Sequence, residues 1–88
     1  MTTLSDREIL HQAAADIRTL SAVEVGTAFE AITRWCRDDP GRVRTLVGGL
    51  VRHAASGKSD AGVAFDAVVA EGPHALARLL DRYAVDTR

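Results

Sequence analysis

Cysteine and aromatic residues are scarce in this chain. Its 88 residues include one cysteine, Cys36, with one tryptophan, one tyrosine and two phenylalanines. A single cysteine excludes an intramolecular disulfide framework and a metal cage built from cysteines. We therefore expect Cys36 to be a small apolar side chain in the core of a helix rather than a reactive thiol.

Long apolar runs are also missing. No stretch approaches the roughly 18–20 apolar residues that a bilayer-spanning helix requires. Near the N-terminus, Asp6, Arg7 and Glu8 interrupt the sequence before the apolar region of a signal peptide has formed. We expect a cytoplasmic protein of bacterial type that has no membrane partner.

Sustained alternation of apolar and polar residues, the pattern of a half-buried strand, does not occur. Alanine, which has the highest helix propensity, accounts for 15 of the 88 residues. The sequence therefore predicts an all-α fold in which residues 1–88 form a single helical domain, a compact bundle of about five short helices. The predicted helices cover residues 6–19, 22–37, 40–55, 61–70 and 73–85.

Capping residues mark the predicted helix starts. Ser5 with Glu8, and Ser21 with Glu24, have the spacing of a capping box, in which each side chain accepts a hydrogen bond from the other residue's backbone N–H. An apolar pair at staple spacing flanks each box: Leu4 with Ile9, and Leu20 with Val25. The later helices have their own start signals: Asp39 with Pro40, Asp60 or Ser59, and Gly72 with Pro73.

Apolar residues recur at spacings of three and four in each predicted helix, which places them on one face. The expected centre of the core consists of Phe29, Ile32, Leu46, Leu50, Phe65, Val68, Leu79 and Leu80. The fourth helix differs because Val63, Ala67 and Ala70 form a second apolar face, opposite to the first. A helix that is apolar all round is either central in the bundle or has one face against another subunit.

One segment resembles part of a phosphate-binding loop. Residues 56–59 read Ser-Gly-Lys-Ser, but the complete motif requires a glycine five positions before Gly57, where this chain has Arg52. The motif also requires a preceding strand, and a helix is predicted there instead. We interpret this segment as a helix–helix connection.

The histidines do not cluster. His11, His53 and His74 are far apart in the sequence, and they form no pair at metal-ligand spacing. No nucleophile elbow or catalytic triad signature occurs either. We therefore predict that the protein is not an enzyme, and that it uses no metal, no cofactor and no small-molecule ligand.

Two adjacent glycines, Gly48 and Gly49, lie in the middle of the third predicted helix. Each glycine costs about 0.5–1 kcal/mol relative to alanine at such a position. Both are expected to point away from the apolar stripe of this helix, beside Arg52. One interpretation is a kink or break in the helix, and the other is a groove in which a second helix lies close.

Positive charge is concentrated in the middle of the chain. Residues 34–58 carry six basic and two acidic side chains, whereas residues 1–33 and 59–88 are both net acidic. Arg42 and Arg44 fall near the start of a helix, where positive charge opposes the helix dipole. Either Asp38 and Asp39 neutralise this region, or it binds an anionic partner.

These features predict a non-catalytic protein–protein interaction module, such as a small regulatory or adaptor protein, whose partner is another protein or a second copy in a homodimer. The alternative hypothesis is a nucleic-acid-binding regulator that uses the basic segment 34–58. The candidate partner-binding residues are Arg37, Arg42, Arg44, Gly48, Arg52, Val63 and Ala67.

Overall fold

Five helices follow one another in the computed structural model, which describes residues 4–37, 39–55 and 60–87. They are α1 (Asp6–Arg18), α2 (Val25–Cys36), α3 (Pro40–Ala55), α4 (Ala61–Ala70) and α5 (Pro73–Asp86). These ranges contain no strand. The predicted all-α bundle is confirmed, and the observed bounds differ from the predicted ones mainly at the start of α2. The predicted connection at residues 56–59 lies outside the described residues.

The first capping box is confirmed. The backbone N–H of Glu8 donates to the Ser5 hydroxyl, and the N–H of Ser5 donates to the Glu8 carboxylate, both at 3.2 Å. Leu4 packs against the core close to the start of this helix. The hydrogen bonds that the spacing of Ser5 and Glu8 predicts are therefore formed at the start of α1.

The prediction of a second capping box, formed by Ser21 and Glu24, is wrong. The helix begins at Val25, and its N-cap is Glu24, whose backbone N–H donates to the Thr27 hydroxyl at 2.9 Å. Ser21 lies in an exposed segment that connects the two helices. The staple expected between Leu20 and Val25 is not buried, because these side chains are 43% and 57% exposed.

The remaining helix starts agree with the sequence signals. Asp39 accepts a hydrogen bond from the backbone N–H of Arg42 at 3.1 Å, and Asp60 accepts one from Val63 at 3.2 Å. Gly72 precedes α5 with a φ of +109°, a backbone conformation that favours glycine, and Pro73 occupies the first helical position.

A single cluster of buried side chains draws on all five helices. The residues of α1 in this cluster are completely buried: Ile9, Leu10, Ala13, Ala14 and Ile17. This helix packs most extensively against α5 and also against α2, while α3 packs against α2 and α4. Most of the predicted central residues are buried in this cluster: Ile32, Leu46, Leu50, Phe65, Leu79 and Leu80.

The expectation about Phe29 is wrong. Its side chain is 51% exposed rather than central, because α2 turns Ala28 and Ile32 towards the core instead. Of the two alternatives for the fourth helix, the central position does not hold, because Val63 on its second apolar face is 65% exposed. Its buried face consists of Phe65 and Val69.

The glycine pair does not break α3, which runs without interruption from Pro40 to Ala55. The expectation that both glycines point away from the core is wrong for Gly49, which is buried beneath the ring of Tyr83 from α5. Gly48 is half-buried and faces the other side, towards α2. The second helix that lies close to Gly49 is therefore part of the same chain.

Candidate partner-binding surface

An open apolar groove lies between α2 and α3 and has a volume of about 410 Å³. Its α2 side is formed by Phe29 and Thr33. Its α3 side is formed by Pro40, Val43, Arg44, Val47 and Gly48. We call this surface the α2–α3 groove.

Phe29 is the largest apolar side chain of the groove. It lies next to Ala28 in the helix, about 100° around the axis, and so falls just outside the buried face. The hydroxyl of Thr33, one turn later, donates to the Phe29 carbonyl at 2.7 Å. That bond satisfies the hydroxyl within the helix, so the α2 side of the groove offers an apolar surface.

The α3 side is shaped by the small size of Gly48. A side chain at this position would extend towards the groove, and a Cβ there would lie 3.4 Å from the Arg52 guanidinium. Val47 is half-buried beside it. The missing side chain makes the α3 side of the groove shallow at this position, where the Arg52 guanidinium is the nearest group.

The charge around the groove is positive. Arg44 lines it, and Arg52 is exposed near Gly48 at its edge. Arg37 ends α2 one turn after Thr33 and is also exposed. Within residues 4–37, 39–55 and 60–87, none of these three arginines forms an ion pair. They are therefore available to acidic groups of a partner.

Arg42 does not belong to this surface. Its guanidinium donates to the Asp6 carboxylate and to the Leu4 carbonyl, each at 2.6 Å, and it is largely buried between the starts of α1 and α3. Arg42 is thereby separated from Arg44, which is exposed. Asp39 caps the backbone of α3, and the Arg42 charge is neutralised by Asp6; Asp38 lies outside the described residues.

Val63 and Ala67 lie on a different surface. With Ala70 they form the exposed face of α4, which is opposite to the buried residues Phe65 and Val69. The seven predicted residues therefore do not form one surface. Arg44 and Gly48 line the groove with Arg52 nearby, two residues belong to α4, Arg37 is exposed at the end of α2, and Arg42 is partly buried between the starts of α1 and α3.

Charged side chains also link α1 to its neighbours. His11 Nδ1 lies 2.7 Å from the Asp81 carboxylate, and Arg18 donates to the same carboxylate. Burial by itself raises the pKa of Asp81, but the hydrogen bonds from Arg18 and His11 outweigh it, so the pKa is lowered. These contacts join α1 to α5. They give His11, on the outer side of α1, a structural partner in the Asp81 carboxylate.

Two smaller depressions have more polar linings. One, of about 220 Å³, lies between α1 and α2 and includes Asp16, Glu30 and Arg34. The other, of about 200 Å³, lies among α3, α4 and α5 and includes Arg78 and Arg82. The arginines of the second depression come from a segment that is net acidic as a whole, so the distribution of charge along the sequence does not reveal them.

The described part of the chain contains no group of three or more histidine, cysteine, aspartate or glutamate side chains arranged to hold a metal ion. Cys36 is buried, as predicted, and burial raises the pKa of its thiol. Within the same residues, no helix has both the length and the apolar character needed to cross a membrane.

Phe29 is the residue of the groove that sequence analysis misplaced. The apolar positions of α2 include both Ala28 and Phe29, and helical periodicity is compatible with burial of either. The sequence carries no signal that decides between them, because the exposure of Phe29 follows from where the neighbouring helices pack on α2. Comparisons with known protein families, with curated proteins and with solved structures find no match to this chain.

Proposed function

We propose that this protein is a non-catalytic interaction module whose α2–α3 groove binds an apolar surface of another protein. The observation that carries this proposal is Phe29, half of whose surface is exposed at the edge of an apolar groove. Burial of a phenylalanine contributes about 1.5–3 kcal/mol, and large aromatic anchors of this kind dominate the energy of protein interfaces.

The charges around the groove indicate what kind of partner it suits. Arg44 lines the groove, Arg52 is exposed near Gly48 and Arg37 is exposed at the end of α2. The planar guanidinium of arginine can bind a carboxylate through two hydrogen bonds. A partner helix with an apolar face and acidic residues beside it therefore matches both the groove and its edges. A role in a reducing cytoplasm agrees with the unpaired Cys36 thiol.

Nucleic acid binding through residues 34–58 has less support. Arg42 is held by Asp6 inside the fold, which removes one of the cations on which that hypothesis depends. Of the remaining arginines, Arg44 lines an apolar groove, whereas Arg34 lies 3.7 Å from Asp16 in a different depression. Phosphate contacts alone do not make use of an exposed phenylalanine in such a groove.

Site-specific crosslinking tests the proposal. A photoreactive phenylalanine analogue placed at position 29 should form covalent adducts with a protein partner in the cells that produce this chain. The same analogue at Leu20, which is similarly exposed but lies outside the groove, serves as the control. Adducts at position 29 that disappear when Gly48→Leu fills the groove support the proposal; equal labelling at positions 29 and 20 contradicts it.

A DNA-binding measurement distinguishes the proposed interaction module from the alternative, a nucleic-acid-binding regulator. Fluorescence anisotropy with a labelled duplex at low salt should show no binding that depends on the groove arginines. Binding that is lost in the Arg37→Gln, Arg44→Gln, Arg52→Gln triple variant, retained in Phe29→Gln and steeply reduced by salt would favour the nucleic-acid regulator instead.

A further inference from the structure

A second exposed apolar surface complements the groove. The outward side of α4 carries Val63, Ala67 and Ala70, and it is bordered by the exposed acidic residues Asp60, Asp66 and Glu71. We call this surface the α4 face. It has the two properties that the groove requires of a partner, because it is helical and apolar and has carboxylates on both sides.

The α4 face cannot reach the groove of its own chain. Phe65 and Val69 hold the opposite side of α4 in the core, and Asp60 caps the helix through the Val63 N–H. Turning the face inward would expose both of these buried side chains. Only a second copy of the chain can therefore place an α4 face in the groove.

The charges of the two surfaces are segregated by sign. The groove is lined by Arg44, has Arg52 near Gly48 and has no acidic residue in its lining, whereas residues 60–77 contain three acidic residues and neither lysine nor arginine. Pairing the groove with the α4 face of another copy brings these opposite charges together. Pairing two grooves, or two α4 faces, brings like charges together, which is unfavourable.

The shapes are also compatible. Ala67 and Ala70 have small side chains, which allow the axis of an incoming helix to lie close to the groove. Val63 is the largest apolar side chain of the α4 face and is 65% exposed. It can contact Gly48 when the flexible Arg52 side chain, whose guanidinium lies 3.4 Å from a Cβ at that position, turns towards the carboxylates that border the α4 face. Phe29 then contacts the smaller residues beside Val63 from the α2 side of the groove.

We propose that the α2–α3 groove of one copy binds the α4 face of a second copy. This inference rests on the proposed function, because it uses the same groove and names the partner. The two surfaces share no residue, so the contact is between different patches of the two copies. Such a contact either repeats head-to-tail into longer assemblies or occurs twice within a closed pair.

Complementation between two variants tests this pairing. Phe29→Gln removes the aromatic anchor of the groove and leaves the α4 face intact. Val63→Arg places a cation on the α4 face, where it meets the arginines of the groove, and leaves the groove intact. Each variant by itself should associate at least about tenfold more weakly than the parent chain in sedimentation velocity.

An equimolar mixture of the two variants should associate again. The intact groove of the Val63→Arg chain binds the intact α4 face of the Phe29→Gln chain, and the complex stops at one copy of each. Leu20→Gln and Val85→Arg are the matched controls, since these side chains are 43% and 64% exposed and belong to neither surface. Both controls should sediment like the parent, and circular dichroism should show that all four variants are folded.

Three results would overturn the pairing. The parent chain remains monomeric at high micromolar concentration, or Val63→Arg associates as strongly as the parent, or the mixture forms no complex. The proposed function fails separately, since it depends on crosslinks at position 29. If a different protein is crosslinked at position 29 while the parent chain is monomeric, the proposed interaction module is supported and self-pairing is rejected.

Discussion

Tyr83 of α5 lies directly over Gly49 of α3. A Cβ built on Gly49 would come within 2.6 Å of the Tyr83 ring carbon Cζ and closer still to its hydroxyl. The same ring packs against His53, with the two ring centroids 5.5 Å apart. Glycine at position 49 therefore lets α5 approach α3 at this level of the bundle, which accounts for a residue that is unfavourable in the middle of a helix.

The two adjacent glycines should respond differently to alanine. Gly48→Ala should stabilise the protein by about 0.5–1 kcal/mol, because alanine has the higher helix propensity and only the flexible end of Arg52 lies nearby. Gly49→Ala should destabilise it, because the Tyr83 ring has to move. Urea unfolding of both variants measures the difference. Adding Tyr83→Ala should make Gly49→Ala less harmful; an equal loss in both backgrounds would contradict this explanation.

Substitutions of Arg42 and Arg44 should affect stability differently, because Arg42 makes contacts within the fold and Arg44 lies on the surface. Arg42→Gln removes the contacts with Asp6 and Leu4 and should lower the free energy of unfolding by about 1–2 kcal/mol. Arg44→Gln changes an exposed side chain at the groove and should stay within about 0.5 kcal/mol of the parent. Chemical denaturation distinguishes the two. If Arg42→Gln changes the free energy of unfolding as little as Arg44→Gln does, the contacts of Arg42 with Asp6 and Leu4 do not contribute to stability.

Ser5 and Ser21 provide a matched test of the helix starts. Ser5→Ala removes the hydroxyl that accepts the Glu8 N–H, and should cost about 0.5–2 kcal/mol. Ser21→Ala should leave the unfolding midpoint unchanged, because Ser21 is exposed and precedes the Glu24 cap of α2. Thermal and urea unfolding give both values. A large effect of Ser21→Ala would move the start of α2 back towards residue 22.

Asp81 should make the stability of the protein sensitive to acid. Its pKa is below its usual value in the folded protein, since Arg18 and His11 hold the carboxylate in its charged form. The stabilisation is therefore fully present above the pKa of the unfolded chain, near 3.8, and is lost as the pH falls through the lower folded pKa.

Asp81→Asn tests this dependence. The variant should be less stable than the parent at pH 6, and the difference should shrink as the pH falls below about 4. Urea unfolding at a series of pH values measures it. A difference that stays constant down to pH 3 would show that the charge of Asp81 plays no part.

Cys36 should be protected from thiol reagents in the folded protein. The side chain is buried, and burial raises the pKa of the thiol, although the charge of Arg42 partly opposes this shift. Reaction requires the exposed thiolate, so the rate of labelling near neutral pH should increase strongly when denaturant unfolds the chain. Rapid labelling of the native protein would show that α2 opens readily.

The helices that could be predicted from sequence are those whose ends depend on local hydrogen bonds. The caps formed by Ser5, Asp39 and Asp60 join groups only three residues apart, so their geometry is encoded in the spacing. The start of α2 could not be predicted in the same way. There, Ser21 with Glu24 and Glu24 with Thr27 are both plausible pairs, and the structure uses the second.

The candidate surface depended more strongly on contacts between distant parts of the chain. Arg44 and Gly48 were identified from charge and composition, and both line the groove. Phe29 was assigned to the core, because periodicity gives the direction of a side chain but not whether a neighbouring helix covers it. Arg42 was assigned to the surface, because counting charges in one segment does not reveal a partner 36 residues away.

The sequence by itself determined that this chain is helical, where most of its helices begin and which faces are apolar, because all of these follow from interactions within a few residues. Only the tertiary structure decided which apolar face remains uncovered and which cation is neutralised. Phe29 remains exposed beside the groove between α2 and α3, and the start of α1 lies near the start of α3, which brings Asp6 to Arg42. Both depend on how helices from distant segments pack, which local spacing does not specify.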